Sequence, residues 1–232
     1  MAESNLLAGR QIVVTGGTGA LGRAVVNRLL AEGASCHVPS HRAEAEGATP
    51  GLHITPGVDL TDEDSVAGFY AGIENLWASV HLAGGFAMSP IGEATASDLR
   101  RMLEMNVVTT FLCAHEAVKA MRRTGNGGRI VNVAARPALE PRKGARMAAY
   151  AASKAAVAAM TEGLAEELKA DHILVNAIAP STIDSEANRK AMPKADPARW
   201  LSPEAAAEVV LTLVLPGKTA ISGAVLPLYA LA

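Results

Sequence analysis

Gln11-Ile12-Val13-Val14-Thr15-Gly16-Gly17-Thr18-Gly19-Ala20-Leu21-Gly22 is the stretch from which the rest of the chain can be read. A short apolar run suited to a buried strand meets a glycine-rich turn, and a helical pattern opens directly behind it and runs to about Glu32. Four glycines stand in the seven positions from Gly16 to Gly22. Glycine there permits a tight turn and lets backbone N–H groups approach a pyrophosphate at the helix N-terminus. A plain strand–helix turn needs no such density of glycine, so the loop is a candidate dinucleotide site.

Outward from this unit the same alternation repeats. Gly33 stands where a helix C-cap glycine belongs. Strands are expected over 35–39 and 52–55, and Thr61, with Asp64 three residues on, is expected to cap a helix across 66–73. A fourth strand is expected over 77–83, a long helix over 97–123, a fifth strand over 129–134 and a second long helix over 147–170. A strand over 173–179, a helix opened by Ser202-Pro203-Glu204 and a final strand over 224–228 complete the chain. Strand–helix alternation implies an α/β fold, a doubly wound Rossmann arrangement with a parallel sheet of about seven strands and helices on both faces. Without a repeat, low-complexity tract or linker, residues 1–232 read as a single domain.

Composition narrows the function. Half of the 232 residues are hydrophobic and the net charge is only −2, which argues against nucleic acid as a partner, since neutralising phosphates needs a clustered basic excess. Cys36 and Cys113 lie far apart in apolar runs and read as buried thiols of a reduced compartment. The six histidines show no metal-ligand spacing, so no metal is expected. Met1 to Asn5 lacks the pattern of a signal peptide, and no apolar run approaches the roughly 18 residues that span a bilayer. A cytoplasmic protein with a small-molecule substrate and no membrane contact is the expectation.

Tyr150-Ala151-Ala152-Ser153-Lys154 lies in the second long helical stretch. A spacing of four puts Tyr150 and Lys154 on one face, one turn apart. A free tyrosine has a pKa near about 10, too high for proton exchange at neutrality, and an adjacent ammonium favours the phenolate. With Thr15-Gly16-x-x-x-Ala20-Leu21-Gly22, this pair resembles the short-chain dehydrogenase/reductase family, whose loop reads Thr-Gly-x-x-x-Gly-x-Gly. Ala20 replaces its middle glycine, one small residue for another.

The resemblance implies an NAD(P)-dependent oxidoreductase that transfers hydride between nicotinamide and a carbonyl-like or quinonoid carbon. It makes Tyr150 the general acid/base, Lys154 the ribose ligand that tunes it, and Asn106 the support of a proton relay. Gly16, Thr18, Ala20, Leu21 and Gly22 become cofactor-binding residues, as do Ala83 and Gly84 from His81-Leu82-Ala83-Gly84. The segment after the sixth strand adds Pro180, Ser181, Ile183 and Ser185, with a substrate loop over about 181–201. Asp59, followed by Leu60, matches the position near the adenine ring, although Asp59 could equally cap a turn. His81 could be functional, or simply satisfied at a strand end.

At the end of the second strand, where NAD-preferring members carry a carboxylate, this chain has Ser40-His41-Arg42. A carboxylate would repel a 2′-phosphate, whereas a hydroxyl beside Arg42 could hold one, so NADP is favoured over NAD. The family's serine at the end of the fifth strand is missing. Ala135 occupies its position, and residues 133–149 contain no Ser, Thr or Cys. With Gly84-Gly85 and the stretch from Ala187 to Trp200, this absence gives a weaker similarity to dihydropteridine reductases, which also use Tyr and Lys without the serine. It leaves open an alternative, a dinucleotide-binding sensor or scaffold with little catalysis. The alanine-dense helix over 148–168 suits a close helix–helix contact, through which family members commonly pair, so a homodimer or homotetramer is expected.

Overall fold

A computed structural model describes residues 5–41, 49–217 and 220–231. In chain order it forms β1 (Gln11–Thr15), α1 (Ala20–Leu30), β2 (Ser35–Ser40), β3 (Leu52–Pro56), α2 (Glu63–Ala71) and β4 (Leu76–His81). There follow α3 (Ala96–Leu103), a π-helical turn (Glu104–Val108), α4 (Thr109–Thr124), β5 (Gly128–Val133), the short α5 (Arg136–Leu139) and α6 (Ala148–Glu167). β6 (Ile173–Pro180), α7 (Glu186–Ala191), α8 (Pro203–Val214) and β7 (Val225–Leu228) close the fold. The seven strands pair in parallel in the order β3-β2-β1-β4-β5-β6-β7.

Both faces of the sheet are covered, as a parallel sheet with crossover helices requires. β1 shows the division, since side chains alternate along a strand. Ile12 and Val14 enter a core with Val25 and Leu29 of α1 and Val210 and Leu213 of α8, whereas Val13 enters the opposite core with Val66, Phe69, Ala117 and Met121. The order reverses between β1 and β4, so the crevice at the carboxyl ends of those strands is where a doubly wound sheet takes its ligand.

Three local readings need correction. Thr61 does not cap α2, because its N–H and hydroxyl both donate to Asp59 Oδ1. Asp62 is the cap and accepts the Ser65 N–H at 2.7 Å. β4 stops at His81 rather than at residue 83, since the Ala83 N–H turns to Thr15 Oγ1 at 3.2 Å. The long helix expected over 97–123 is two α-helices joined through the π turn. Gly33 does take the left-handed conformation, with φ of 83°, just after the end of α1.

Beneath the carboxyl end of the sheet runs a buried chain of hydrogen bonds whose direction is fixed by its ends. Thr161 Oγ1 donates to the Val157 carbonyl, so it accepts from Asn132 Nδ2 at 2.9 Å. Asn132 Oδ1 is then the acceptor facing His81 Nδ1 at 2.8 Å, and His81 must carry its proton there. Nε2 is left to accept from Ser79 Oγ at 2.9 Å, and Ser79 accepts in turn from the Tyr70 hydroxyl at 2.8 Å. His81 is thus the satisfied strand-end histidine of the two readings. Burial pushes its pKa down to about 4, against the weaker opposing effect of Asn132.

An imidazole held neutral in the fold and free to protonate when unfolded makes the unfolded chain the better proton binder between about pH 4 and 6.5. Stability from this group is therefore complete above the unfolded value and lost as the pH falls through that window, by roughly 3 kcal/mol in total. In urea denaturation, the stability advantage of wild type over His81→Asn should shrink by about that amount across the window. An unchanged difference would remove His81 as the titrating group.

Candidate functional site

The glycine loop is packed too tightly for side chains. A Cβ on Gly22 would lie 2.1 Å from the Gly16 carbonyl oxygen, and one on Gly17 would strike Val38 at 2.8 Å. Gly16, at φ of 67°, presses against the end of β4, where a Cβ would meet Ala83 N at 2.8 Å. Ala20 and Leu21 open α1, whose N-cap, Gly19, gives the helix no side-chain cap. The first-turn N–H groups therefore remain available to an anion, with the positive end of the helix dipole behind them. This cradle fits the pyrophosphate of a dinucleotide.

Beside it lie the β4–α3 segment and the π turn. Asn106 is fully buried in that turn and clamps Gly85 from both sides. Its Oδ1 accepts the Gly85 N–H at 2.9 Å and its Nδ2 donates to the Gly85 carbonyl at 3.1 Å. Nδ2 also donates to Ser153 Oγ at 3.0 Å, and Ser153 donates onward to the Tyr150 carbonyl at 2.8 Å. Neighbouring Gly84 has no room for a Cβ, which would sit 2.5 Å from Asn106 Oδ1 and 3.4 Å from Lys154 Nζ. Ala83, Gly84, Asn106, Ser153 and Lys154 thus meet in one place. Ser153 was not singled out from the sequence, although a serine next to Lys154 in the Tyr–Lys segment was the available signal.

Tyr150 and Lys154 lie one turn apart on α6. Lys154 Nζ donates to the Val133 carbonyl at the end of β5 at 2.7 Å. Burial lowers the Lys154 pKa to about 8 and raises that of Tyr150 to about 12. The Phe86 ring stands edge-on to Tyr150 with centroids 5.0 Å apart, while itself 62% exposed. Ala135 is buried at the head of α5, two residues beyond β5, and offers no side-chain donor.

The outlying residues divide by what already occupies them. Asp59 accepts two bonds from Thr61, which with nearby His41 hold its carboxyl below the usual range, so its turn-capping role is met. Leu60 is half-buried against the α2 core. Ser40 ends β2 and is buried, His41 is exposed, and Arg42 lies outside the described residues. Thr18 offers its carbonyl to Arg23 Nε at 2.9 Å. Pro180 ends β6, and Ser181 donates its hydroxyl to the Tyr229 carbonyl at 3.0 Å. Ile183 bridges to Leu201 and accepts from Asn188 Nδ2. Ser185 caps α7 by accepting the Asn188 N–H, which leaves its own proton free to donate.

The chain matches the family model for short chain dehydrogenase over residues 10–196. A sorbitol dehydrogenase of Cereibacter sphaeroides is 32% identical, with 78% of this chain and 73% of that protein covered. A 2-dehydro-3-deoxy-L-rhamnonate dehydrogenase (NAD(+)) of Sphingomonas sp. is 32% identical over 77% and 74% of the two. An NADPH-dependent aldehyde reductase of Arabidopsis thaliana is 31% identical over 78% and 74%. The same fold is seen in the structure of ElxO with NADP bound, with a TM-score of 0.86, 23% identity, and coverage of 94% of this chain and 96% of that one.

Asn106 makes two side-chain bonds to Gly85 of the β4–α3 segment and a third to Ser153 of α6, so Asn106→Ala should cost about 1–3 kcal/mol by leaving buried partners unsatisfied. Urea denaturation checks this, and a cost within about 0.5 kcal/mol of zero would mean that water or rearrangement replaces the clamp.

Proposed function

The chain belongs to the short-chain dehydrogenase/reductase family, and from that premise we propose that it is an NADP-dependent oxidoreductase acting on a carbonyl-like or quinonoid small molecule. The observation that carries this reading is the meeting of Tyr150, Lys154, Gly84 and Asn106 beside a loop whose glycines leave room only for backbone. Gly16 to Gly22 and the start of α1 would hold the pyrophosphate, Asp59 and Leu60 would border the adenine, and Ile183 and Ser185 would face the carboxamide. A bound nicotinamide supplies or accepts the hydride.

The chain's own residues supply the proton. Tyr150, with its pKa raised to about 12, stays protonated through neutrality and is set up as the acid of a reduction. Lys154, with a pKa near 8, carries most of its charge at neutral pH and would hold the nicotinamide ribose and tune Tyr150. Asn106 and Ser153 position Tyr150 through its backbone. Ala135 provides no second donor to the reacting oxygen, so a substrate that is already electrophilic, such as a quinonoid ring, suits the site. Residues 181–201 would form the substrate loop, and exposed Phe86, edge-on to Tyr150, would border the substrate.

The same Ala135 favours a second reading, a dinucleotide-binding sensor or scaffold with little catalysis. Screening carbonyl, quinone and quinonoid pterin substrates with NADPH and NADH separates the two, and no turnover with any of them leaves the sensor standing. We also infer a homodimer or homotetramer through α6 and α4, where Phe111 is 55% exposed. Light scattering at micromolar concentration should give a mass of at least twice 23.9 kDa.

For the cofactor, fluorescence titration should show NADPH binding more tightly than NADH, with the difference reduced in Arg42→Ala. Equal affinities would overturn the preference.

For the chemistry, Tyr150→Phe should lower turnover by about 10²–10⁴ while leaving NADPH affinity nearly unchanged. Ala135→Ser should raise turnover of an ordinary ketone by up to the roughly 10²–10³ that one such donor contributes, and do little for a quinonoid ring. Full activity in Tyr150→Phe would remove it as the acid.

A further inference from the structure

At the amino ends of the strands, opposite the glycine loop, two arginines share one aromatic ring. The Arg10 guanidinium carbon lies 4.2 Å from the centroid of Trp77, and that of Arg129 lies 4.9 Å from it. Arg10 immediately precedes β1, Trp77 is the second residue of β4, and Arg129 is the second residue of β5. Trp77 and Arg129 are buried, at 7% and 8% exposed, and the indole is fixed by its N–H donating to the Val214 carbonyl at 2.7 Å.

No carboxylate pairs with either arginine among the described residues. Arg129 Nη1 donates to the carbonyl of Gly128 at 2.8 Å, and its buried Nε has no partner. A guanidinium cannot shed its proton to escape such a setting. Burial disfavours the Arg129 charge, and the like charge of Arg10 adds to the effect. The face of the indole and the negative end of α8 offset part of this cost. Neither supplies an acceptor for the Nε–H. A buried donor left over beside a second unpaired cation marks a place for an acceptor that carries negative charge.

We propose that Arg10 and Arg129, set against Trp77, bind a small oxyanion, a carboxylate or a phosphate, at the end of the sheet remote from the catalytic site. Either anion presents two oxygens to the N–H fork of a guanidinium, which a spherical halide cannot match. Its charge relieves the repulsion between the arginines, and a shift of the Arg129 side chain would bring the Nε–H onto one of its oxygens. Because the site joins the starts of β1, β4 and β5, occupancy stabilises the sheet itself.

The test uses Trp200→Phe, which leaves Trp77 as the sole tryptophan, since the chain has two. Malonate and, separately, phosphate are titrated at ionic strength held constant with chloride, with Trp77 emission and Tm as readouts. A saturable emission change is expected, with Tm rising by about 3–5 °C for each tenfold increase of anion above its Kd. In the same background Arg10→Gln should weaken the response by about tenfold or more, and Arg129→Met should abolish it. A response to malonate alone makes the ligand a carboxylate, and one to phosphate alone makes it a phosphate. No saturable change with either anion overturns the proposal, as does an equal response in Arg10→Gln, which decides the matter should Arg129→Met fail to fold.

Discussion

The Gly16 carbonyl oxygen lies only 2.1 Å from where a Cβ of Gly22 would be, and much of the site depends on that approach. Because the first turn of α1 can close onto the loop, the loop can press Gly16 against Ala83 at the end of β4. Ala83 then answers Thr15 by a hydrogen bond, and Gly84 is carried under Asn106 and Lys154. The contacts run from Gly22 through Gly16 and Ala83 to Gly84, which packs against the side chains of Asn106 and Lys154. A methyl group at any of these steps would be felt at the next, since packed interiors transmit displacement rather than absorb it.

Around this frame the electrostatics are those of a dry site. Lys154 keeps its ammonium by donating to the Val133 carbonyl, while Tyr150 keeps its proton because nothing anionic or cationic beside it outweighs burial. An adjacent ammonium one turn away was expected to draw the phenol down, yet in the free protein desolvation is the larger effect. Proton donation rather than proton removal is the role this balance supports, and the missing donor at Ala135 makes the substrate's own electrophilicity part of the same account.

What could be read from the sequence was what depends on local periodicity. Alternating apolar runs and helical stretches pointed to all seven strands and to the long helix α6, and the spacing of four joined Tyr150 to Lys154. The π turn at Glu104–Val108 could not be read, because one extra residue in a helical turn leaves the apolar pattern on either side intact. Its effect is tertiary, turning Asn106 inward to Gly85. The cap of α2 was missed by one place, since Thr61 and Asp62 are both good capping residues and only the engagement of Thr61 by Asp59 decides between them. The pairing of Arg10 and Arg129 on Trp77 was equally hidden, for it joins three strands that are far apart in sequence.

The polar chain from Tyr70 to Val157 has only one self-consistent direction, so the proton on His81 Nδ1 belongs to a single tautomer. No water reaches that ring without parting β4 from the elements around it, for His81, Ser79, Asn132 and Thr161 are all buried. Its imidazole N–H is therefore a resonance that should persist in NMR spectra at neutral pH, when exposed histidine protons vanish by exchange. The lifetime of that one signal measures how often the centre of the sheet opens.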